Sequence, residues 1–249
     1  MLENCKAVLF DLAGVLYEGS SVVPGAVDAV ALARNNGLEV RFVTNTSTKS
    51  REDILDKLDR LGIGAEPSEV FSAPMAAVEY LLKHNYRPYC LVHEAIEYEF
   101  STLNRRDPNA VLIGDARGRL HYESLNRAFQ LCHDGAPLFA IGKNRYFKTE
   151  EDLQLDSGAF VVGLEWAAGT EAIVLGKPGP DFYRAAVEST GFPASECLMI
   201  GDDLEADVIG AIDCGLQAVQ VRTGKYQPSY ETKLPQGAKI IDSVADLFS

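Results

Sequence analysis

The sequence predicts an α/β fold: a Rossmann-like parallel-sheet core, interrupted by an inserted second α/β domain. Short, continuous apolar runs alternate with amphipathic helical segments along the chain, and polar or charged residues follow several of these runs. The middle of the chain carries its own strand and helix patterns. Continuous apolar strands between amphipathic helices are typical of a parallel sheet that is covered on both faces.

The first elements begin with a buried strand at residues 7–10, where the sequence is AVLF. Residues 24–36 predict a helix that ends at a glycine, and residues 39–43 predict the next strand. A second helix is expected at residues 50–61, because a serine can cap it, acidic residues occupy its first turn and Gly62 follows its end. These elements form one strand–helix–strand–helix unit.

The C-terminal part repeats the alternation after the middle of the chain. Its apolar runs are short and its helical segments show one apolar face. The predicted elements are strand 173–175, helix 181–190, strand 198–200, helix 204–215 and strand 218–221.

The stretch between these two parts predicts a separate, inserted domain at residues 76–169. We expect the two flanking segments, residues 1–75 and 170–249, to form the core together. The predicted elements of the insertion are strands 89–92, 111–113 and 138–141 and helix 122–132.

Composition and charge exclude some classes of function. The 249 residues are 47% hydrophobic and 24% charged, with a net charge of −13. This acidic balance argues against nucleic acid and anionic membranes as partners. The five cysteines have no CxxC spacing, no apolar run is long enough for a membrane span, and the N-terminus lacks a signal-peptide pattern. We therefore expect a cytoplasmic protein with free thiols.

Chemically active residues follow four of the predicted strands. In an open parallel sheet, ligands bind at the carboxyl ends of the strands. A carboxylate nucleophile, a hydroxyl donor, a cation and further carboxylates together suit phosphoryl transfer with Mg²⁺. The residues concerned are Asp11, Thr44 with Asn45, Lys177, and Asp202 with Asp203.

Four motifs resemble those of the haloacid dehalogenase (HAD) superfamily. They are DLAGVLY, FVTNTS, GKP and GDDLEAD. The long interval between Thr44 and Lys177 matches the C2-capped arrangement (subclass IIA), with the insertion as a C2-type cap. The stretches HYESLNRAFQLCHDGAPLFAIGKNRYFK and VRTGKY resemble the branch that contains haloacid dehalogenase-like hydrolase domain-containing protein 2 and phospholysine phosphohistidine inorganic pyrophosphate phosphatase.

The resemblance implies a role for each matching residue. Asp11 is expected to be the nucleophile that forms an aspartyl-phosphate, with Thr44 and Lys177 assisting. Asp202, Asp11 and the backbone carbonyl of Ala13 are expected to bind Mg²⁺. The remaining expected roles are phosphoryl binding by Asn45 and Thr46, and support just outside the metal ligands by Asp203 and Asp207.

Ala13 departs from the family pattern, which usually has an aspartate there as general acid and base. A missing general acid lowers the rate by roughly 10²- to 10⁴-fold when the leaving group needs a proton. Phosphate, with a second pKa of about 6, leaves without one, and a phosphoramidate nitrogen can be protonated beforehand. The site is therefore expected to favour phosphoanhydride, P–N or aryl phosphate substrates.

Two further segments contain basic residues close to predicted strands. The loop GKNRYFK, residues 142–148, is either a basic loop exposed to solvent or a loop of the cap that contacts the substrate through Lys143 or Arg145. The segment TGKY, residues 223–226, follows the last predicted core strand and is consistent with an ordinary turn.

The leading hypothesis is a Mg²⁺-dependent phosphohydrolase with a phosphorylated small molecule or phospho-amino acid as substrate. A catalytically weak or silent homologue that binds phosphorylated ligands or a protein partner is the alternative. A third hypothesis is an ordinary small-molecule phosphatase with a substitute acid. The resemblance also implies a homodimer that forms through the cap.

Overall fold

The computed structural model describes residues 4–148 and 152–248. It confirms the predicted α/β class, with two sheets of parallel strands. The strands, numbered along the chain, are β1 Ala7–Asp11, β2 Tyr17–Glu18, β3 Ser21–Val22, β4 Glu39–Thr44, β5 Val70–Ser72, β6 Pro88–Leu91, β7 Ala110–Ile113, β8 Leu138–Ala140, β9 Tyr146–Lys148, β10 Leu153–Leu155, β11 Ile173–Val174, β12 Cys197–Gly201, β13 Gln217–Val221 and β14 Lys239–Ile241.

The α-helices lie between these strands. Short 3-10 turns connect several of the elements. The helices are α1 Ala26–Asn35, α2 Arg51–Arg60, α3 Ala73–Lys83, α4 Tyr122–His133, α5 Gly158–Ala168, α6 Pro180–Glu188 and α7 Gly210–Asp213.

The described residues divide into two compact units. The first unit falls within Met1–Thr44, Arg51–Phe71 and Pro180–Ser249, and the second comprises Asn45–Ser50 and Ser72–Gly179. The chain therefore leaves the first unit briefly after β4, returns to it for Arg51–Phe71, leaves again at Ser72 and returns at Pro180, where α6 begins.

The larger sheet has the strand order β14-β13-β12-β1-β4-β5. Strand β1 has parallel neighbours on both sides, β12 and β4, and all five of its residues are buried. A strand that is buried on both faces reads as a continuous apolar run, which explains the AVLF signal. Because the neighbouring strands are parallel, the carboxyl ends of β1, β4 and β12 lie at one edge of this sheet.

The second unit contains a parallel sheet with the order β11-β8-β7-β6. Strand β11, at the position of the predicted strand 173–175, pairs with β8 in this sheet and not with the strands of the larger one. Its two residues are only partly buried or exposed. The apolar pattern predicted a strand here, but a pattern this short cannot specify which sheet the strand joins.

The segment predicted as helix 204–215 contains two kinds of helix. Residues Leu204–Ile209 form a π-helix, and α7 continues it at Gly210. A π-helix is rare and is found frequently at functional sites. The wider turn overlaps the second half of the charged motif GDDLEAD, so the local geometry departs from a regular helix where acidic residues accumulate.

Each unit has its own apolar core. In the first unit, buried residues on one face of the sheet pack with the helices that cover it, and these residues include Phe10 and Phe42, whose ring centroids lie 6.4 Å apart. In the second unit, β7 and β8 pack against α4 and α5 through residues such as Ile113 and Val161. Within the described part of the chain, no helix is long and apolar enough to cross a membrane.

Candidate active site

Three buried carboxylates meet at the carboxyl edge of the larger sheet. Asp11 is the last residue of β1, Asp202 follows β12, and Asp207 lies in the π-helix. Each offers an oxygen within 4.8 Å of the oxygens of the other two, and each side chain is buried. Strand-end reasoning predicted the first two, and the motif resemblance implied the third.

The surroundings of the cluster change the pKa of Asp202. Burial, followed by the nearby charges of Asp11 and Asp207, raises the pKa of the Asp202 carboxyl to about 8. Removing a carboxylate from water and placing it beside like charges both disfavour its ionised form. A divalent cation would relieve this repulsion.

Asp203 and Asp207 organise the backbone after β12. Asp203 Oδ1 accepts hydrogen bonds from the backbone N–H groups of Glu205 (3.1 Å) and Ala206 (3.0 Å), which caps the π-helix. The backbone N–H of Asp203 donates to Asp207 Oδ2 at 3.1 Å. The side chain of Asp203 therefore supports the helix that carries Asp207.

Tyr183 of α6 braces the same helix. Its side chain is fully buried, and its hydroxyl donates to the backbone carbonyls of Ala206 (2.7 Å) and Asp207 (3.2 Å). Burial, with smaller contributions from nearby carboxylates, raises the pKa of Tyr183 well above its usual value, so the hydroxyl remains a donor. Sequence reasoning missed this residue, because its apolar neighbours mark it only as part of a core face.

Gln220 holds the backbone of Asp202 from the neighbouring strand β13. Its side chain is fully buried, and Nε2 donates to the carbonyl oxygen of Asp202 at 2.8 Å. A polar residue between two apolar residues of a core strand was the available signal, since buried polar groups need hydrogen-bond partners.

The segment after β13 also touches the site, although its sequence is consistent with an ordinary turn. The backbone N–H of Lys225 donates to Asp202 Oδ2 at 2.7 Å, and its ammonium donates to Asp203 Oδ2 at 3.2 Å. Burial disfavours the ammonium, but the nearby carboxylates, led by Asp203, raise the pKa of Lys225. The sequence showed only that this segment follows a core strand; the pairing of β13 with β12, which brings it to Asp202, comes from the structure.

Ala13 places a methyl group, not a carboxyl group, two residues after Asp11. Ala13 is exposed, whereas Gly14 beside it is buried. Gly14 has φ +89°, and a Cβ there would overlap the carboxylate of Asp202, so a glycine is required. Position 13 thus has room for a larger side chain, whereas position 14 does not.

The predicted substrate-binding residues at the end of β4 fall in different units. Thr44 is the buried last residue of β4 in the first unit, while Asn45 and the half-buried Thr46 belong to the second. In that second unit, the side-chain amide of Asn45 pairs with the backbone of Lys177, whose own side chain is buried. The structure therefore brings two of the sequence-predicted motifs together through Asn45.

The two basic residues predicted to contact substrate from the second unit have different surroundings. Lys143 Nζ donates to Glu165 Oε1 at 2.8 Å, and the backbone N–H of Ala172 donates to the same oxygen. Although burial opposes it, these bonds lower the pKa of Glu165. Arg145 is exposed. Lys143 is thus anchored to α5, whereas Arg145 faces solvent.

The carboxylate cluster fits a hard divalent cation. Mg²⁺ prefers oxygen ligands and is usually bound through one or two carboxylates, with water and substrate oxygens completing its shell. Asp11 and Asp202 supply such carboxylates, and burial together with the negative charges of Asp11 and Asp207 raises the pKa of Asp202. The donor set and the local charge are both consistent with Mg²⁺.

Comparison with known proteins shows the family. Residues 8–105 match the model described as haloacid dehalogenase-like hydrolase, and residues 174–247 match the one described as HAD-hydrolase-like. Phospholysine phosphohistidine inorganic pyrophosphate phosphatase of Rattus norvegicus is 41% identical over 236 residues, which covers 92% of this chain and 87% of the relative. The chain belongs to the haloacid dehalogenase-like hydrolases. The predicted family and the prediction of a hydrolase are thereby confirmed.

Two other similar proteins extend the comparison. Haloacid dehalogenase-like hydrolase domain-containing protein 2 of Homo sapiens is 43% identical over 229 residues, covering 92% of this chain and 88% of the relative. The crystal structure of 4-nitrophenylphosphatase from Thermotoga maritima aligns with a TM-score of 0.90 over 99% of this chain and 97% of the other, at 22% identity. The second similarity supports the HAD fold.

Proposed function

We propose that this HAD hydrolase is a Mg²⁺-dependent phosphohydrolase that works through an aspartyl-phosphate on Asp11. The observation that carries the proposal is the cluster of three buried carboxylates at the carboxyl ends of β1 and β12. The names of the relatives, which are phosphatases, support the reaction class.

In the proposed reaction, a carboxylate oxygen of Asp11 attacks phosphorus and the bond from phosphorus to the leaving group breaks. The leaving group departs with that electron pair. Water then attacks the phosphorus of the aspartyl-phosphate, which releases inorganic phosphate and regenerates Asp11. Thr44, Asn45 and Thr46 bind phosphoryl oxygens in this proposal.

Mg²⁺, when bound by Asp11, Asp202 and the carbonyl of Ala13, would supply positive charge against the anionic phosphoryl group. Lys177 adds a second positive charge for the phosphoryl group and the nucleophile. Asp203 and Asp207 keep the backbone around these ligands in place.

The leaving group determines how far the rate of hydrolysis falls because position 13 is an alanine. An alkoxide needs a proton as it departs, whereas phosphate and a protonated amine do not. The proposed substrates are therefore phosphoanhydrides, P–N compounds and aryl phosphates. The printed name of the relatives with pyrophosphate, phospholysine and phosphohistidine supports the first two classes.

The competing proposal is a weak or silent homologue that binds phosphorylated ligands or a protein partner. The single observation in its favour is Ala13, because no carboxyl group is present there to activate the hydrolytic water. The buried Asp11, Asp202 and Lys177 favour the enzyme, since an inactive binding protein has no need of a nucleophile beside an acidic cluster.

We further propose that the second unit contains the C2-type cap predicted for residues 76–169. Its separate parallel sheet and its own core support an independent α/β domain. Within it, Arg145 is the better candidate for contact with the distal part of a substrate, because Lys143 is paired with Glu165.

A substrate panel tests the function. The full chain is assayed with p-nitrophenyl phosphate, pyrophosphate, imidodiphosphate and a sugar phosphate, with and without Mg²⁺. The proposal expects Mg²⁺-dependent release of phosphate from the first three and little from the sugar phosphate. Binding of these ligands without any turnover would favour the silent homologue, and rapid hydrolysis of the sugar phosphate would favour an ordinary phosphatase with a substitute acid.

A further inference from the structure

The loop of residues 223–225, which follows β13, is fastened to the segment after Asp11. The hydroxyl of Thr223 donates to the carbonyl of Gly14, and the backbone N–H of Gly224 donates to Glu18 Oε1 at 2.9 Å. These contacts join residues more than 200 positions apart in the sequence. The loop is therefore built into the site and is not a free surface turn.

The same loop holds the carboxylate of Asp202. The backbone N–H of Lys225 donates to Asp202 Oδ2 at 2.7 Å. A Cβ atom at either Gly14 or Gly224 would overlap this carboxylate, and both glycines have positive φ, +89° and +63°. The carboxylate is thus seated between two glycine backbones with one oxygen fixed by a hydrogen bond.

The side chain of Lys225 acts on the charge of the site. Its ammonium lies 3.2 Å from Asp203 Oδ2, next to the residue that follows β12. The three clustered carboxylates provide strong negative charge nearby. Lys225 is therefore a positive charge that belongs to the protein and compensates the cluster in part.

We propose that the 223–225 loop sets the affinity of the site for its divalent cation through two opposing contacts. The backbone N–H of Lys225 fixes the orientation of Asp202 and strengthens cation binding. The ammonium of Lys225 competes electrostatically with the cation and weakens binding. This inference rests on the function proposed above, because it assumes that Asp202 is a cation ligand.

The two contacts predict variants with opposite effects. Lys225→Met keeps the backbone N–H and most of the length of the side chain but removes the charge, so a cation should bind more tightly, by about threefold to tenfold. Lys225→Arg keeps the charge and should stay within about twofold of the natural chain. Gly224→Ala displaces the Asp202 carboxylate and should weaken binding by about 10- to 100-fold, the usual loss when a group supporting a ligand is disturbed.

The experiment measures Mn²⁺ binding by electron paramagnetic resonance and Mg²⁺ binding by calorimetry, on the full chain without substrate. Thermal unfolding without metal is recorded in parallel. Lys225→Met should unfold at a lower temperature than the natural chain without metal, and Mn²⁺ should remove the difference. Damage to the structure alone would weaken cation binding, so tighter binding is a signature of the charge effect.

Several results would overturn the inference. Unchanged or weaker binding by Lys225→Met would refute the role of the ammonium, and unchanged binding by a folded Gly224→Ala would refute the role of the backbone contact. If Gly224→Ala does not fold, Thr223→Val, which removes the hydroxyl bonded to Gly14, should weaken binding instead, and unchanged binding there refutes the backbone role. If the natural chain binds neither cation, the metal-dependent function itself fails, which is a distinguishable outcome.

Discussion

The side-chain amide of Asn45 pairs with both backbone polar groups of Lys177. Asn45 Nδ2 donates to the carbonyl oxygen of Lys177 at 2.8 Å, and the N–H of Lys177 donates to Asn45 Oδ1 at 2.8 Å. Both bonds require an amide, because only an amide offers a donor and an acceptor in this geometry. The motif after β4 thereby fixes the position of the lysine in the GKP motif.

Asn45→Asp should break half of this pairing. A carboxylate can accept from the Lys177 N–H but cannot donate to its carbonyl oxygen, so the free energy of unfolding should fall by about 1–2 kcal/mol. Phosphatase activity should fall as well, since Lys177 would lose its fixed position. Urea unfolding and steady-state kinetics measure the two effects.

Asn36→Asp is the matched control for that substitution. Asn36 Nδ2 also donates to a backbone carbonyl, that of Leu32 at 2.8 Å, but at an exposed position. We expect a change below about 0.5 kcal/mol there and unchanged activity. Equal losses for both variants would contradict a specific role for the Asn45 pairing.

Asp11→Asn should abolish hydrolysis. The amide keeps the shape of the side chain but is not a nucleophile, so activity should drop below a few per cent while the protein remains folded. Because it also removes one charge from the acidic cluster, the melting temperature without metal should not fall. Substantial residual activity with a normal melting curve would exclude Asp11 as the nucleophile.

Ala13→Asp should restore a general acid at an exposed position that has room for it. Formation of the aspartyl-phosphate from an alkyl phosphate should accelerate by up to about 10²- to 10⁴-fold, and from pyrophosphate by much less. Burst kinetics over a series of leaving groups isolates this step. Equal acceleration for both substrates would contradict the leaving-group explanation and make Ala13 a sign of lost activity.

The contribution of Asp202 to the stability of the metal-free protein should decrease as the pH rises from about 4 to about 8. The pKa of Asp202 is raised from 3.8 to about 8 in the folded chain, so the folded state binds more protons than the unfolded state in this window. The stabilisation from this proton is fully present below the pKa of Asp202 in the unfolded chain. It is lost as the pH rises through the pKa of Asp202 in the folded chain. Unfolding measured against pH, without metal, reports this loss.

Asp202→Asn is the comparison for the pH experiment. It removes the titrating group, so the pH dependence between 5 and 8 should become shallower. Mg²⁺ should stabilise the natural chain more at pH 8 than at pH 6, because the cation must displace the proton. Parallel pH profiles of the two proteins would assign the effect to other groups.

Tyr183→Phe should loosen the π-helix that carries Asp207. The substitution removes only the hydroxyl bonded to the carbonyls of Ala206 and Asp207, and the buried site should lose about 1–3 kcal/mol. Mg²⁺ affinity should fall severalfold. Tyr122→Phe, at a tyrosine that is 78% exposed, is the control and should change neither quantity. A normal Mg²⁺ affinity in Tyr183→Phe would show that the hydroxyl does not position Asp207 and that the tyrosine only packs in the core.

The sequence predicted those parts of the fold that depend on local pattern. Strand β1 and the carboxylate at its end follow from one apolar run and one charge, and β12 with Asp202 follows in the same way. Helix α5 was not predicted, since most of its residues are apolar and they show no periodic apolar face. Strand β14 is only three residues long and gave no recognisable run.

Features that depend on distant parts of the chain could not be read from a pattern. The apolar run of β11 predicted a strand but not its partner β8. The contacts of Lys225 with Asp202 exist only because β12 and β13 are neighbours, which a one-dimensional sequence does not specify. The π-helical turn at Leu204–Ile209 likewise depends on capping by Asp203 and bracing by Tyr183.

The central place of β1 in the larger sheet has a consequence for synthesis on the ribosome. One neighbour, β4, follows it closely, but the other, β12, begins only at Cys197. Until that residue emerges, one edge of β1 offers unpaired backbone groups to any other strand, which is a known route to aggregation. The acidic cluster cannot assemble earlier either, because Asp202 arrives with β12. A nascent or truncated chain that stops before Cys197 should therefore be inactive and dependent on chaperones, and competence for metal binding should arise late in translation.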